Sequence, residues 1–274
     1  MKNKINKIMK NQKLIISFIL IIFLSVYSLM KVNGQENGKK INLDIVYIGN
    51  SITQGVQLPI PKEDAPPATA TEYLRHQSGI TSVEFSNQGR SGYTTIDFLP
   101  ATVKAFPKVL DAAHLLHTDS QRILVFSISL GTNDSAEEGP NGSPVDPKAY
   151  HSNMNTIADK LLAEVPGCSI VFQQPIWYSP TTYNHSRYLA GGLARLQSYF
   201  PELQELVKEY TKSNPGQVFM GDVIAFEYFK NNYLTDLIPE SGNAGTFYLH
   251  PNKKGAVELG KFWGEGIYQC VIKN

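Results

Sequence analysis

Five apolar runs separated by stretches of helical spacing set the expected architecture. Leu43 to Ile48 is β-branched and aromatic with one charge, Asp44, and suits a strand buried on both faces; Gly49 and Asn50 then break it. Val83 to Asn87, Arg122 to Leu130, Ser169 to Pro175 and Gln217 to Met220 read as four more strands. Helical spacing is predicted over Ala70 to Gln77, from about Thr95 to Leu116, from Pro147 to about Glu164, and from about Leu193 to Lys212. A last helix runs from near Asn252 to the C-terminus. The Pro- and Ala-rich segment Gln57 to Thr69 and the Gly/Pro/Asp-rich run before Pro147 read as loops. Strands alternating with helices imply right-handed crossovers, hence an α/β fold whose parallel sheet is covered on both faces.

The first residues change that picture only at one end. Lys2, Lys4, Lys7, Lys10 and Lys13 precede an uncharged stretch, Leu14 to Met30, the pattern of a secretory signal. Val32 and Gly34 stand at suitable cleavage positions, so residues 1–34 are expected to be a signal peptide and 35–274 the mature domain, secreted or periplasmic. An uncleaved N-terminal anchor is the other outcome. Six of the 25 basic residues precede Gln35, which leaves 19 against 24 acidic ones, a net charge of −5. A mildly acidic body argues against nucleic acid or an anionic membrane as partner. The remaining 240 residues fit one domain. Two cysteines, Cys168 and Cys270, are too few for a disulfide framework, and both a bridge and two buried thiols are open.

In a doubly wound sheet ligands bind at the carboxyl ends of the strands, and three polar turns fall there. Ser51 follows the first strand, Gly92 lies in the turn after the second, and Asn133 follows the third. Taken singly, Ser51 is either a nucleophile or an ordinary helix cap. Gly92 alone is a turn glycine, Asn133 a loop residue, and His250 before Pro251 a helix-start residue.

Together, Gly49-Asn50-Ser51-Ile52-Thr53, Gly89 to Thr95, Gly131-Thr132-Asn133-Asp134 and Leu249-His250-Pro251-Asn252 resemble the four blocks of the SGNH hydrolase superfamily, the GDSL-type esterases, and in particular its bacterial carbohydrate acetylesterases. The resemblance spans Asp44 to about Gly255 and implies a flavodoxin-like three-layer α/β/α sandwich with about five central strands. It implies Ser51 as nucleophile and His250 as base, with Ser51 N–H, Gly92 N–H and the Asn133 amide as oxyanion hole. The chemistry agrees: acyl transfer needs a nucleophile, a base titrating near neutrality and donors for the developing oxyanion.

Two positions depart from the family pattern. Asn50 replaces the usual Asp beside the nucleophile. Phe247 stands where an Asp normally orients the histidine, so the acceptor must come from elsewhere. Glu240 and Asp236 are the candidate acids, against a backbone carbonyl or water serving a Ser-His dyad. Pro239-Glu240-Ser241-Gly242 reads as a turn that would bring Glu240 back.

No metal or cofactor is expected. His114 and His117, at i, i+3, have no ligand cluster beside them and read as a solvated helix face. Trp177, Tyr178, Tyr183, His185 and Tyr188 form an aromatic stretch that is either a platform for sugar rings or core packing. The expected function is removal of small acyl groups, acetyl first, from carbohydrate. Alternatives are a lipid esterase or acyl-thioesterase, and a silent carbohydrate-binding module; oligomeric state is open.

Overall fold

The computed structural model describes residues 40–273, so the expected signal segment and cleavage point lie outside the described residues. β1 (Ile41–Gly49) leads directly into the four-residue helix α1 (Ser51–Gln54), then α2 (Pro61–Asp64), α3 (Pro66–Arg75) and β2 (Ile80–Gly89). Two 3-10 turns, Ile96–Phe98 and Pro100–Thr102, precede α4 (Phe106–Leu116) and β3 (Ile123–Ser129). There follow α5 (Pro147–Glu164), β4 (Ser169–Phe172), α6 (Leu189–Ser213) and β5 (Val218–Met220). The chain closes with α7 (Ala225–Asp236), the hairpin of β6 (Leu237–Gly242) and β7 (Gly245–Pro251), and α8 (Lys253–Ile267), which runs into a π-helical turn, Tyr268–Ile272.

The sheet order is β2-β1-β3-β4-β5, with every pairing parallel. This is the flavodoxin-like winding, and it places the strand-order reversal at β1 and β3. β1 is the central strand, and Leu43, Ile45, Val46, Tyr47 and Ile48 are all at most 1% exposed. Helices cover both faces: α8 lays Trp263 flat against Tyr47 at 6.3 Å between ring centroids, while α5 and α6 stack Tyr150 on Tyr199 at 4.1 Å. Among the described residues no helix is long and apolar enough to cross a membrane.

Three local readings need correction. Gln57 to Thr69 is largely helical: Pro61 and Pro66 each open a helix, because proline's fixed φ and missing N–H suit the first turn while its composition reads as a loop. The single helix expected from Thr95 begins only at Phe106, after the two 3-10 turns. Pro239 to Gly242 is strand, and the turn is Asn243-Ala244; Pro239 is tolerated because β6 has one partner, β7.

His117 is not on a solvated face. Asp44, fully buried on β1, accepts from Arg122 Nε at 2.6 Å and sits 3.0 Å from His117 Nδ1, so the one charge in the central strand is paired at the edge away from Ser51. Of the two, His114 is the one that faces solvent. No disulfide joins the cysteines: Cys168 Sγ lies 3.9 Å from Leu161 O and Cys270 Sγ 3.2 Å from Met220 O. Burial pushes the Cys168 thiol up to about 12, which leaves it unreactive.

The strand ends are level. Gly49 pairs with Gly89 on one side and Ser129 on the other, so the three following turns start side by side. Gly89 lets β2 pass directly under α1, since a Cβ there would lie 2.3 Å from Gln54 N and 2.7 Å from the Thr53 carbonyl carbon. Gly89→Ala is therefore expected to lower stability by about 1–3 kcal/mol through overpacking. The measurement is the urea midpoint, and a midpoint at or above that of the parent chain would show that α1 does not depend on this close approach.

Candidate active site

Asn50 decides the role left open for Ser51. Its Oδ1 accepts from Ile52 N at 3.0 Å, so Asn50 caps α1 and Ser51 becomes the first helical residue. The N–H of a first helical residue has no intrahelical partner and points out of the helix start. Ser51 is 8% exposed and its hydroxyl is directed at His250.

His250 comes from β7 with Glu240 beside it on β6. Glu240 pairs with Phe247 and Pro239 with Tyr248, but Leu237 pairs with Pro251, so two steps on β6 match three on β7. Side chains alternate along a strand, and this extra residue turns His250 onto the same side as Glu240. In a regular ladder of the same sequence His250 would stand opposite Leu237 and the imidazole would face the other way.

The result is a continuous relay. Glu240 Oε1 lies 2.9 Å from His250 Nδ1, and His250 Nε2 lies 2.9 Å from Ser51 Oγ. Burial raises the Glu240 carboxyl, but hydrogen bonds from His250 and Gln57 and its electrostatic interaction with His250 outweigh it and hold its pKa below the usual range. An ionised carboxylate only accepts, so Nδ1 carries the proton and Nε2 is left to accept from Ser51. Gln57 Nε2 donates to Glu240 Oε2 at 2.6 Å; it is also 3.3 Å from Nδ1, but a protonated Nδ1 cannot accept, so the amide serves the carboxylate. Gln57 holds this place with a φ of 69°, strained for a side chain with a Cβ.

Asp236, the other candidate acid, is elsewhere. It is buried at the end of α7, where it accepts from Lys254 Nζ, Tyr228 and Thr235. Burial raises its carboxyl, and these donors more than offset that and pull its pKa down. It closes the junction of α7 and α8 and does not touch the imidazole.

The two other expected donors flank Ser51. Gly92 has a φ of 77°, open to glycine and strained for other residues, in a turn tied to α1 by Gln54 Oε1 accepting from Ser91 N at 2.7 Å. Asn133 Nδ2 donates to Tyr93 O at 2.8 Å, which links the second and third turns. Asp134 reinforces that link by accepting from Thr95 N at 2.9 Å and from Thr95 Oγ1. Burial raises Asp134 to about 6, against hydrogen bonds from Thr95 that lower it.

The aromatic stretch divides. Trp177, Tyr178 and Tyr188 are buried and pack inward, whereas Tyr183, Asn184 and His185 line a pocket of about 410 Å³ with Ser241, Gly242 and Asn243 at the hairpin tip. Two contributors, Gln57 and Tyr188, escape a reading of the sequence. Gln57 follows the nucleophile turn in a segment without periodicity, and Tyr188, although inside the aromatic stretch, gives no sign of which way its hydroxyl points.

Comparison with known proteins places this geometry. Residues 47–257 match the model of the GDSL-like Lipase/Acylhydrolase family. Compared with the curated protein sequences, the chain finds no match. Among solved structures it is similar to Est24, a carbohydrate acetylesterase from Sinorhizobium meliloti, with 16% identity over 82% of this chain and 98% of that one and a TM-score of 0.53. It is also similar to a lipase/acylhydrolase from Enterococcus faecalis, with 17% identity, 82% and 95% coverage and a TM-score of 0.54. A Clostridium thermocellum family 3 carbohydrate esterase matches with 13% identity, 84% and 97% coverage and a TM-score of 0.54. These likenesses speak for the fold, and the family match, which takes in most of the chain from β1 to α8, speaks for descent: the chain belongs to the GDSL-like lipase/acylhydrolase family.

Proposed function

We propose that this hydrolase is an exported serine esterase that removes small acyl groups, acetyl first, from carbohydrate through a Ser-His-Glu relay. The observation that carries the reading is the chain of two 2.9 Å contacts from Glu240 through His250 to Ser51. It weighs against a silent binding module, because an oriented imidazole beside a serine hydroxyl serves proton transfer and does nothing for packing.

The steps follow from the atoms. Ser51 Oγ attacks the ester carbonyl carbon while its proton passes to His250 Nε2. Glu240 holds the ring and stabilises the imidazolium without taking its proton. The negative charge gathers on the former carbonyl oxygen, facing Ser51 N–H, Gly92 N–H and the second N–H of Asn133. Nε2–H then protonates the leaving sugar oxygen and the C–O bond breaks, which leaves the acyl group on Ser51. Water, deprotonated by the same nitrogen, releases the acid and restores the hydroxyl.

The carbohydrate part rests on two supports. Structurally similar proteins include carbohydrate esterases, one of them described as active on acetylated mannans. The pocket beside the hairpin carries neutral polar groups and the Tyr183 ring, a lining suited to a hydroxyl-rich ligand. Export rests on the signal-like pattern of residues 1–34.

Three measurements check the reading. Ser51→Ala is expected to abolish hydrolysis of nitrophenyl acetate with folding intact, and a serine-directed organophosphonate to label Ser51 alone; substantial turnover by the variant would sink the assignment. Acetate release from a panel of acetylated glycans would name the sugar, and activity confined to lipid or thioester substrates would overturn the carbohydrate reading.

Turnover should fall on acidification as the imidazole takes up a proton, with no second limb from Glu240, whose lowered pKa keeps it ionised there. Glu240→Gln is expected to reduce kcat by roughly 10³–10⁴-fold. A variant with parent-like rate and profile would mean that the carboxylate plays no part.

A further inference from the structure

Asn133 is held from behind as well as from the side. One of its two amide N–H bonds goes to Tyr93 O at 2.8 Å, and its Oδ1 accepts from the Tyr188 hydroxyl at 2.8 Å. Both residues are 4% exposed, so water does not compete for these bonds. A flipped amide would set its oxygen against the Tyr93 carbonyl oxygen, and the Tyr188 hydroxyl fixes the opposite corner. One N–H remains, and its direction is determined by the other two bonds. A donor on Oδ1 also polarises the amide and strengthens that remaining N–H.

The surroundings hold Tyr188 for this task. Its ring packs edge-on against Tyr178 at 5.4 Å, and the Tyr178 hydroxyl lies 2.9 Å from Ser135 Oγ in the same turn as Asn133. Arg195 Nη1 donates to Ser135 O at 2.7 Å from α6. Leu189, next in the chain, has a φ of 51°, a left-handed conformation that is strained for a residue with a side chain. Burial raises the Tyr188 hydroxyl far above the ordinary tyrosine range, so it stays protonated and able to donate.

We propose that Tyr188 is a positioning residue for acyl transfer: its hydroxyl orients and polarises the Asn133 amide so that the free N–H meets the oxyanion. The inference rests on the esterase reading and adds to it a residue that touches neither substrate nor relay. Stabilisation lost with an oxyanion donor appears in the transition state, so the effect belongs in kcat and leaves KM in place.

The test is a double-mutant cycle on nitrophenyl acetate. Tyr188→Phe keeps the ring and is expected to lower kcat at least tenfold with KM and the pH profile unchanged. Asn133→Ala is expected to lower kcat by roughly 10²–10³-fold. In the Asn133→Ala background, Tyr188→Phe should have no further effect, because the group it acts through is gone. Parent-like kcat in Tyr188→Phe, or full additivity in the double variant, would overturn the proposal. Should Tyr188→Phe fail to fold, a trifluorinated tyrosine at 188 keeps ring and oxygen but ionises more easily. An alkaline loss of kcat absent from the parent chain then supports the role, and an unchanged profile overturns it. Ser51-dependent hydrolysis by the parent chain is the control, since its absence overturns the esterase reading and this role with it.

Discussion

The active edge depends on the register of β1 with its two neighbours. Gly49 faces Gly89 and Ser129, so three strands end at one level and release their chains into adjacent turns. A parallel sheet satisfies the backbone inside the ladder and leaves it unsatisfied just beyond, where exposed N–H groups are available to an anion. Ser51, Gly92 and Asn133 occupy that boundary. Their convergence is a property of strand ends, and the turns are then tied crosswise by Gln54, Tyr93 and Asp134.

The other half of the site is built on a different principle. His250 and Glu240 do not belong to the central sheet; they face one another on a two-stranded hairpin ten residues apart. The large sheet carries Ser51, Gly92 and Asn133 at its strand ends, and the hairpin carries His250 and Glu240. The two halves meet through the contact between His250 Nε2 and Ser51 Oγ and through Gln57, which reaches from the nucleophile's side to Glu240.

How much of this can be read from the chain varies with physical cause. β1, β3, β4 and α5 are visible because burial on two faces leaves continuous apolar runs and because Pro147 with Asp146 marks a helix start. α2 and α3 are hidden because Pro61 and Pro66 begin helices with the residue that most often ends them. The hairpin is hidden because each strand has one partner and half-exposed faces, so Pro239 and Gly242 survive in it and read as a turn. Glu240 could be named as a candidate from its nearness to His250 in sequence. The sequence favours it over Asp236 through an expected turn at Pro239 to Gly242, but what sets it beside His250 is the register of β6 with β7, which a turn motif does not show.

The extra residue in β7 has a consequence for how this chain tolerates insertions and deletions. Between Tyr248 and Pro251 the strand is one residue out of phase with its partner, and His250 faces Glu240 because of that offset. Removing Leu249 would restore a regular ladder with His250 opposite Ile238, still on the Glu240 side, whereas a slip that paired His250 with Leu237 would turn the imidazole to the other face while every named side chain is still encoded. At Asn243-Ala244, beyond the last pair of Gly242 with Gly245, added residues lengthen only the loop and leave the phase untouched. Length at the tip of the hairpin is therefore free to vary, whereas between Tyr248 and Pro251 the direction of the imidazole is tied to how the ladder closes on Leu237.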